Sequence, residues 1–144
     1  MTKFDRSVAP QPAQARDFVF PEFEERFLQN GSRVVFHQKP GLPITSVTFI
    51  VEAGSKFDPE GGEGLANLTA QLLDEGAGEL DSLGLSALLE SKGLTLAVYA
   101  THDHFEVKIS GLSDNIDLMM KIVSDVVYDP HLRLEDFERE RDKL

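Results

Sequence analysis

The chain has 144 residues, enough for one ordinary domain with a real core, and its 41% hydrophobic and 27% charged residues are the balance of a folded globular protein. A formal net charge of −11 leaves no basic surface, on balance, for a phosphate backbone or an anionic bilayer, so nucleic-acid and membrane partners are disfavoured. Cysteine is absent, which excludes disulfides, thiolate nucleophiles and cysteine-based zinc sites.

Residues 1–17, MTKFDRSVAPQPAQARD, are rich in Pro, Ala and Gln without periodicity and read as a flexible arm ahead of a domain over 18–144. They hold no apolar stretch of the secretory type. No apolar run in the chain is long enough to span a bilayer, so a soluble location is expected, cytoplasm or periplasm being equally compatible. From Phe18 two short apolar-aromatic runs flank Asn30-Gly31, the dipeptide that favours a type I′ hairpin turn. Val34 to Gln38 and Ile44 to Glu52 are strand-like and rich in β-branched residues, with Pro40-Gly41 between them.

AGSKFDPEGGEG is a glycine-rich loop, and EGLANLTAQLLDEGAG, Glu63 to Gly78, reads as an amphipathic helix with a glycine exit. Its leucines and alanines cover a wide arc, while Asn67, Gln71, Asp74 and Glu75 fill the remainder. A second helix is expected over Ser82 to Lys92, with Ser82 as N-cap and Gly93 as the terminating glycine. Leu94 to Ala100 and Phe105 to Ser110 form the next strand pair. A third helix follows, capped by Ser113, with an apolar stripe of Ile116, Met119, Met120 and Val123. Asp129-Pro130 ends it, and a last helix starts near Glu135. RLEDFERERDKL stops in mid-pattern, so the chain reads as part of a longer protein. The order β-β-α-α-β-β-α-α, without βαβ alternation, predicts an α+β domain: an antiparallel sheet with helices packed on one face.

Side-chain chemistry is sparse. His102 and His104, at i and i+2, share a face on a strand and could chelate a metal, but no third ligand follows at a defined spacing. The alternative is a pair of solvent-facing turn residues. His37 and His131 stand alone and read as structural or exposed. No GxxxxGK[ST], GxGxxG or GxSxG motif is present, so neither a phosphate loop nor a serine nucleophile elbow is expected. The acid-rich DFERERD run reads as a solvated helix face.

ERFLQNGSRVVF, VTFIVEAGSKFDPEGGEGLAN, THDHFEVKISGL and FERERD, in that order and spacing, resemble the N-terminal part of the M16 metallopeptidases, the pitrilysin, insulinase and mitochondrial processing peptidase family. The resemblance runs from about Phe20 onward and implies a LuxS/MPP-like metallohydrolase fold, here an incomplete first half-domain. It places the family's HxxEH zinc motif on Asn67, Ala70 and Gln71. Both histidines and the general-base glutamate are thereby replaced. Amide oxygens are poor zinc ligands beside imidazole, and alanine cannot accept a proton from a metal-bound water. Glu140 matches a family glutamate that precedes the third zinc ligand. Ala97, Val98 and Tyr99 fall on the edge strand where active members add substrate as an extra strand; family members often have Asn-Ala where this chain has Ala97-Val98.

The resemblance therefore implies a non-catalytic subunit, an inactive homologue without zinc. Its expected partner is an active zinc-bearing M16 subunit or a second copy of itself, with unfolded peptides as a further possible ligand. Two alternatives stand beside it: an active zinc metalloendopeptidase with relocated ligands such as His102 and His104, and a purely structural subunit of a larger complex.

Overall fold

The computed structural model describes residues 13, 15 and 17–143. The sequence-predicted arm over residues 1–17 lies almost wholly outside them. The chain divides into two compact units at the Gly41–Leu42 junction, each described by itself.

The first unit is a hairpin of β1 (Glu24–Phe27) and β2 (Arg33–Phe36), paired antiparallel with Glu24 opposite Phe36. Its turn is not the two-residue type I′ form, which needs positive φ at both central residues. Gly31 has φ +84°, but Asn30 does not join it; among the described non-glycine residues only Leu132 has positive φ. The loop runs instead from Leu28 to Ser32. Gly31 N donates to Leu28 O, and the Asn30 amide oxygen accepts from Ser32 N at 3.0 Å. His37 Nδ1 lies 2.6 Å from Glu22 O, a local structural bond.

The second unit contains a three-stranded antiparallel sheet in the order β3 (Ile44–Val51), β7 (Phe105–Leu112), β6 (Thr95–Ala100). Ile44 faces Leu112 across one ladder, and Thr95 faces Ser110 across the other. Period-two alternation sends Phe105, Val107 and Ile109 to one face, where they are buried. That face carries the helices, so the expected α+β arrangement is the observed one. α3 (Ile116–Tyr128) supplies Met119, Ile122, Val123 and Val126 to the same core, joined by Ala70 and Leu73 from the segment of α1 (Leu65–Leu72) and Leu85 from α2 (Ser82–Lys92). Met120, expected in the apolar stripe of α3, is exposed; Met119 and Val123 are buried as expected, and Ile122 and Val126 complete the buried stripe. No helix among the described residues is long and apolar enough to cross a membrane.

Helix ends differ from expectation for local reasons. α1 spans only Leu65–Leu72, because the chain then turns into a two-residue strand β4 (Gly76–Ala77) paired with β5 (Leu80–Asp81). Such short strands leave no period to read. β5 keeps Asp81 extended, so Asp81 and not Ser82 caps α2 (Ser82–Lys92), its carboxylate accepting from Gly84 N at 2.8 Å. Gly93 ends α2 at φ +62°, the left-handed stop that the sequence implies. Ser113 opens a 3-10 turn, Ser113–Asn115, and does not cap α3; its hydroxyl bonds to Thr45 Oγ1 at 2.8 Å instead. α4 (Leu134–Arg141) follows a connector held by His131, whose Nε2 reaches Gly78 O at 2.8 Å while Arg133 donates to Nδ1. His131 thus has a structural role, tying the connector to the β4–β5 turn.

Candidate functional site

Helix α1 carries the three positions of interest, and its start is prepared by a residue six places upstream. Gly64, at φ +96°, has no side chain to cap with. Asp58 reaches in from the loop: Oδ2 accepts from Gly64 N and Oδ1 from Ala66 N, each at 2.9 Å. One carboxylate thereby satisfies two N–H groups at the positive end of the helix. A Gly-Pro-rich loop gave no hint of this, since capping is usually sought at the adjacent residue.

Within α1 the three positions part company. Asn67 and Gln71 are exposed, so their amides are hydrated and need no protein partner. Ala70 is only 3% exposed and belongs to the core cluster that also gathers Val98 and Ala100 of β6. Positions 67, 70 and 71 are therefore two solvated amides flanking a sealed apolar position. Asp74, farther along, still reaches solvent; partial desolvation pushes its carboxyl up, and the charges of Glu75 and Glu140 add to this.

Glu140 sits on α4, which packs against α1, and is 5% exposed; Asp136 is 8% exposed. The DFERERD run is thus not a solvated face throughout. Arg139 links Glu75 Oε2 at 2.8 Å, Asp136 Oδ1 at 2.7 Å and Glu140 Oε1 at 3.2 Å, while Lys143 Nζ holds both Glu140 oxygens at 2.6 and 2.9 Å. Lys143, and then Arg139, hold the Glu140 carboxyl below its ordinary value. Arg139 in turn is pushed further up by Asp136, Glu75 and Glu140.

Strand β6 pairs only with β7 among the described residues, so it is an edge of this sheet. Ala97 and Val98 are half-buried and Tyr99 is exposed. The Tyr99 hydroxyl donates to Glu106 Oε2, and His104 Nε2 lies 2.6 Å from Glu106 Oε1. The Tyr99 hydroxyl, then His104, hold the Glu106 carboxyl low. His102 and His104 belong to the β6–β7 turn, not to a strand. Lys56 N donates to the His102 carbonyl at 3.0 Å. His104 is committed to Glu106, and among the described residues no group of three or more His, Asp or Glu side chains is arranged to hold a metal.

The donor set at α1 does not suit zinc. Asn67, Ala70 and Gln71 offer two neutral amides and a buried methyl group, with no imidazole and no carboxylate among them, and the Glu140 carboxylate is neutralised by Lys143 and Arg139.

Helices on one face of an antiparallel sheet, a glycine-rich loop feeding a short helix beside an edge strand, and a second helix clamped to the first make up an α+β unit. Residues 33–144 match the family model described as insulinase (peptidase family M16), and the chain belongs to that family. Among its relatives is the human protein named cytochrome b-c1 complex subunit 1, mitochondrial, 31% identical over 132 residues that make up 92% of this chain and 27% of that protein. Another is mouse mitochondrial-processing peptidase subunit beta, 26% identical over 137 residues, 95% of this chain and 28% of that one. The chain therefore spans little more than a quarter of the length of these relatives.

Among solved structures, a peptidase M16 inactive domain from Pseudomonas fluorescens superposes with a TM-score of 0.78 at 24% identity, covering 84% of this chain and 30% of that one. A protease from Helicobacter pylori superposes at 0.77 with 19% identity, covering 86% and 30%. These two likenesses establish the fold.

Proposed function

We propose that this chain is part of a non-catalytic M16 subunit, which pairs with an active, zinc-bearing M16 subunit and contributes a wall of the peptide-binding chamber. One observation carries the reading: the position that would hold the general base is Ala70, buried in the core, between two exposed amides. A metal-bound water would find neither a ligand set nor a proton acceptor there. The edge strand, by contrast, keeps backbone groups available for an added strand, the interaction that does not depend on metal. The names of the relatives, one a cytochrome b-c1 complex subunit and one a mitochondrial-processing peptidase subunit, support assembly with other chains.

The test is zinc content and peptide cleavage by the whole protein, alone and co-expressed with an HxxEH-bearing M16 protein. The expected result is substoichiometric zinc and no cleavage alone, and a stable complex whose zinc belongs to the partner. Stoichiometric zinc with robust cleavage by the protein alone would overturn the proposal. The likeness to cytochrome b-c1 complex subunit 1 favours a second reading, a purely structural subunit of a larger assembly. That reading expects no affinity for unfolded peptide even in the assembled state.

A further inference from the structure

We infer that residues 54–58, GSKFD, form a rigid strut that sets the spacing between the edge strand β6 and helix α1, and so positions any peptide laid along that edge. The inference rests on the peptide-handling reading above. At one end, the strut is fused to the β6–β7 turn. Ser55 N donates to Thr101 O at 2.9 Å, Lys56 N donates to His102 O at 3.0 Å, and Lys56 Nζ pairs with Asp103 Oδ1 at 3.0 Å.

Gly54 is buried against that turn so closely that a Cβ would meet His104 N at 2.4 Å and both Asp103 C and His102 O at 2.5 Å. All three are backbone atoms, which cannot swing aside. At the other end Asp58 holds the two N–H groups that open α1. Between them the 3-10 turn Ser55–Phe57 is closed by Phe57 N to Gly54 O and Asp58 N to Ser55 O, leaving no slack. α1 packs directly on β6, so the strut and that contact together define one angle and one gap. Gly54 and Asp58 are thus positioning residues: neither needs to touch a peptide to govern its binding.

The test uses the whole protein, alone and with its HxxEH-bearing partner, and fluorescein-labelled oxidised insulin B chain as an extended-peptide probe read by anisotropy. Gly54→Ala, which must displace the turn by about 1 Å to regain ordinary contact, and Asp58→Ala are each expected to raise Kd about tenfold. Val126→Ala, a core truncation under α3, is the control: it lowers thermal stability and leaves Kd unchanged. Hydrogen exchange supplies a second readout. Asp58→Ala is expected to speed amide exchange at Ser55 and Lys56, the strut amides bound to the turn, and Val126→Ala is not.

A loss of affinity that merely tracks Tm across all three variants would overturn the inference and leave the peptide-handling reading intact. Absence of binding by the unmutated protein, partner included, would remove that reading and this inference with it. Asn at position 58 retains one acceptor oxygen, so Asp58→Asn is expected to fall between wild type and Asp58→Ala in both readouts.

Discussion

Removing the Asp58 carboxylate gives the sharpest test of how α1 is held. In Asp58→Ala the N–H groups of Gly64 and Ala66 lose their acceptor at once, and Ala66 is buried, so water replaces the bond poorly. Losing a capping side chain costs about 1 kcal/mol, and up to about 2 in protein hosts. Bonds to an ionised acceptor lie in the upper part of the usual range. Two such bonds on one half-buried carboxylate put the expected loss at about 2 kcal/mol. With a urea m-value of about 2 kcal/mol/M, the midpoint should fall by about 1 M at unchanged m.

The assay is helped by composition. The chain has no Trp, and its two tyrosines, Tyr99 and Tyr128, both lie in the unit over 42–144, so tyrosine fluorescence follows that unit alone. Glu63→Ala is the neighbouring control, since the Glu63 carboxylate is exposed and meets its own backbone N–H and Gly61 N, the latter at 3.2 Å, so little change is expected. A midpoint for Asp58→Ala indistinguishable from wild type would refute the capping argument.

Three further outcomes can be checked in the same way. Ala70→Glu buries a carboxylate in the core beside β6 and should cost about 3 kcal/mol or more, whereas Asn67→His and Gln71→His, at exposed positions, should stay within about 0.5 kcal/mol. The Glu140 carboxyl is held low by Lys143 and Arg139, so its contribution is fully present above the unfolded-state value and is lost as pH falls through the lower folded-state value; Lys143→Met should flatten that acid limb of the urea midpoint. Gly76 sits at φ +128° with a Cβ position 2.8 Å from His131 Nδ1 and 3.0 Å from Leu80 O, so Gly76→Ala should destabilise by about 2 kcal/mol and loosen the β4–β5 turn, read by hydrogen exchange at His131 N.

Much of the architecture is legible from local pattern. The alternation in ITSVTFIV and FEVKISGL marks β3 and β7 because one face of β7 is buried and one face of β3 half-buried, and Gly93 ends α2 where a left-handed residue is needed. What is not legible depends on partners remote in sequence. Asp81 outcompetes Ser82 as a cap only because pairing with Gly76 keeps it extended. Glu140 and Asp136 look solvated within DFERERD, and become buried through Glu75 and Arg139 across the α1–α4 contact. Asp58 lies too far from α1 for any capping pattern to include it. The positions 67, 70 and 71 keep helical spacing, but spacing alone does not tell that the middle one faces the core.

The burial of Ala70 ties the residue at that position to the geometry of the edge strand. In a helix held at its start by Asp58 and laid against β6, the side chain at position 70 is drawn into the apolar cluster shared with Val98 and Ala100. A carboxylate there requires water or a cation beside it, and the half-buried apolar side chains of β6 supply neither. An alanine, having no polar atom, lets the helix and the strand close. Alanine at position 70 therefore stabilises the contact between α1 and β6 that sets the edge strand in place.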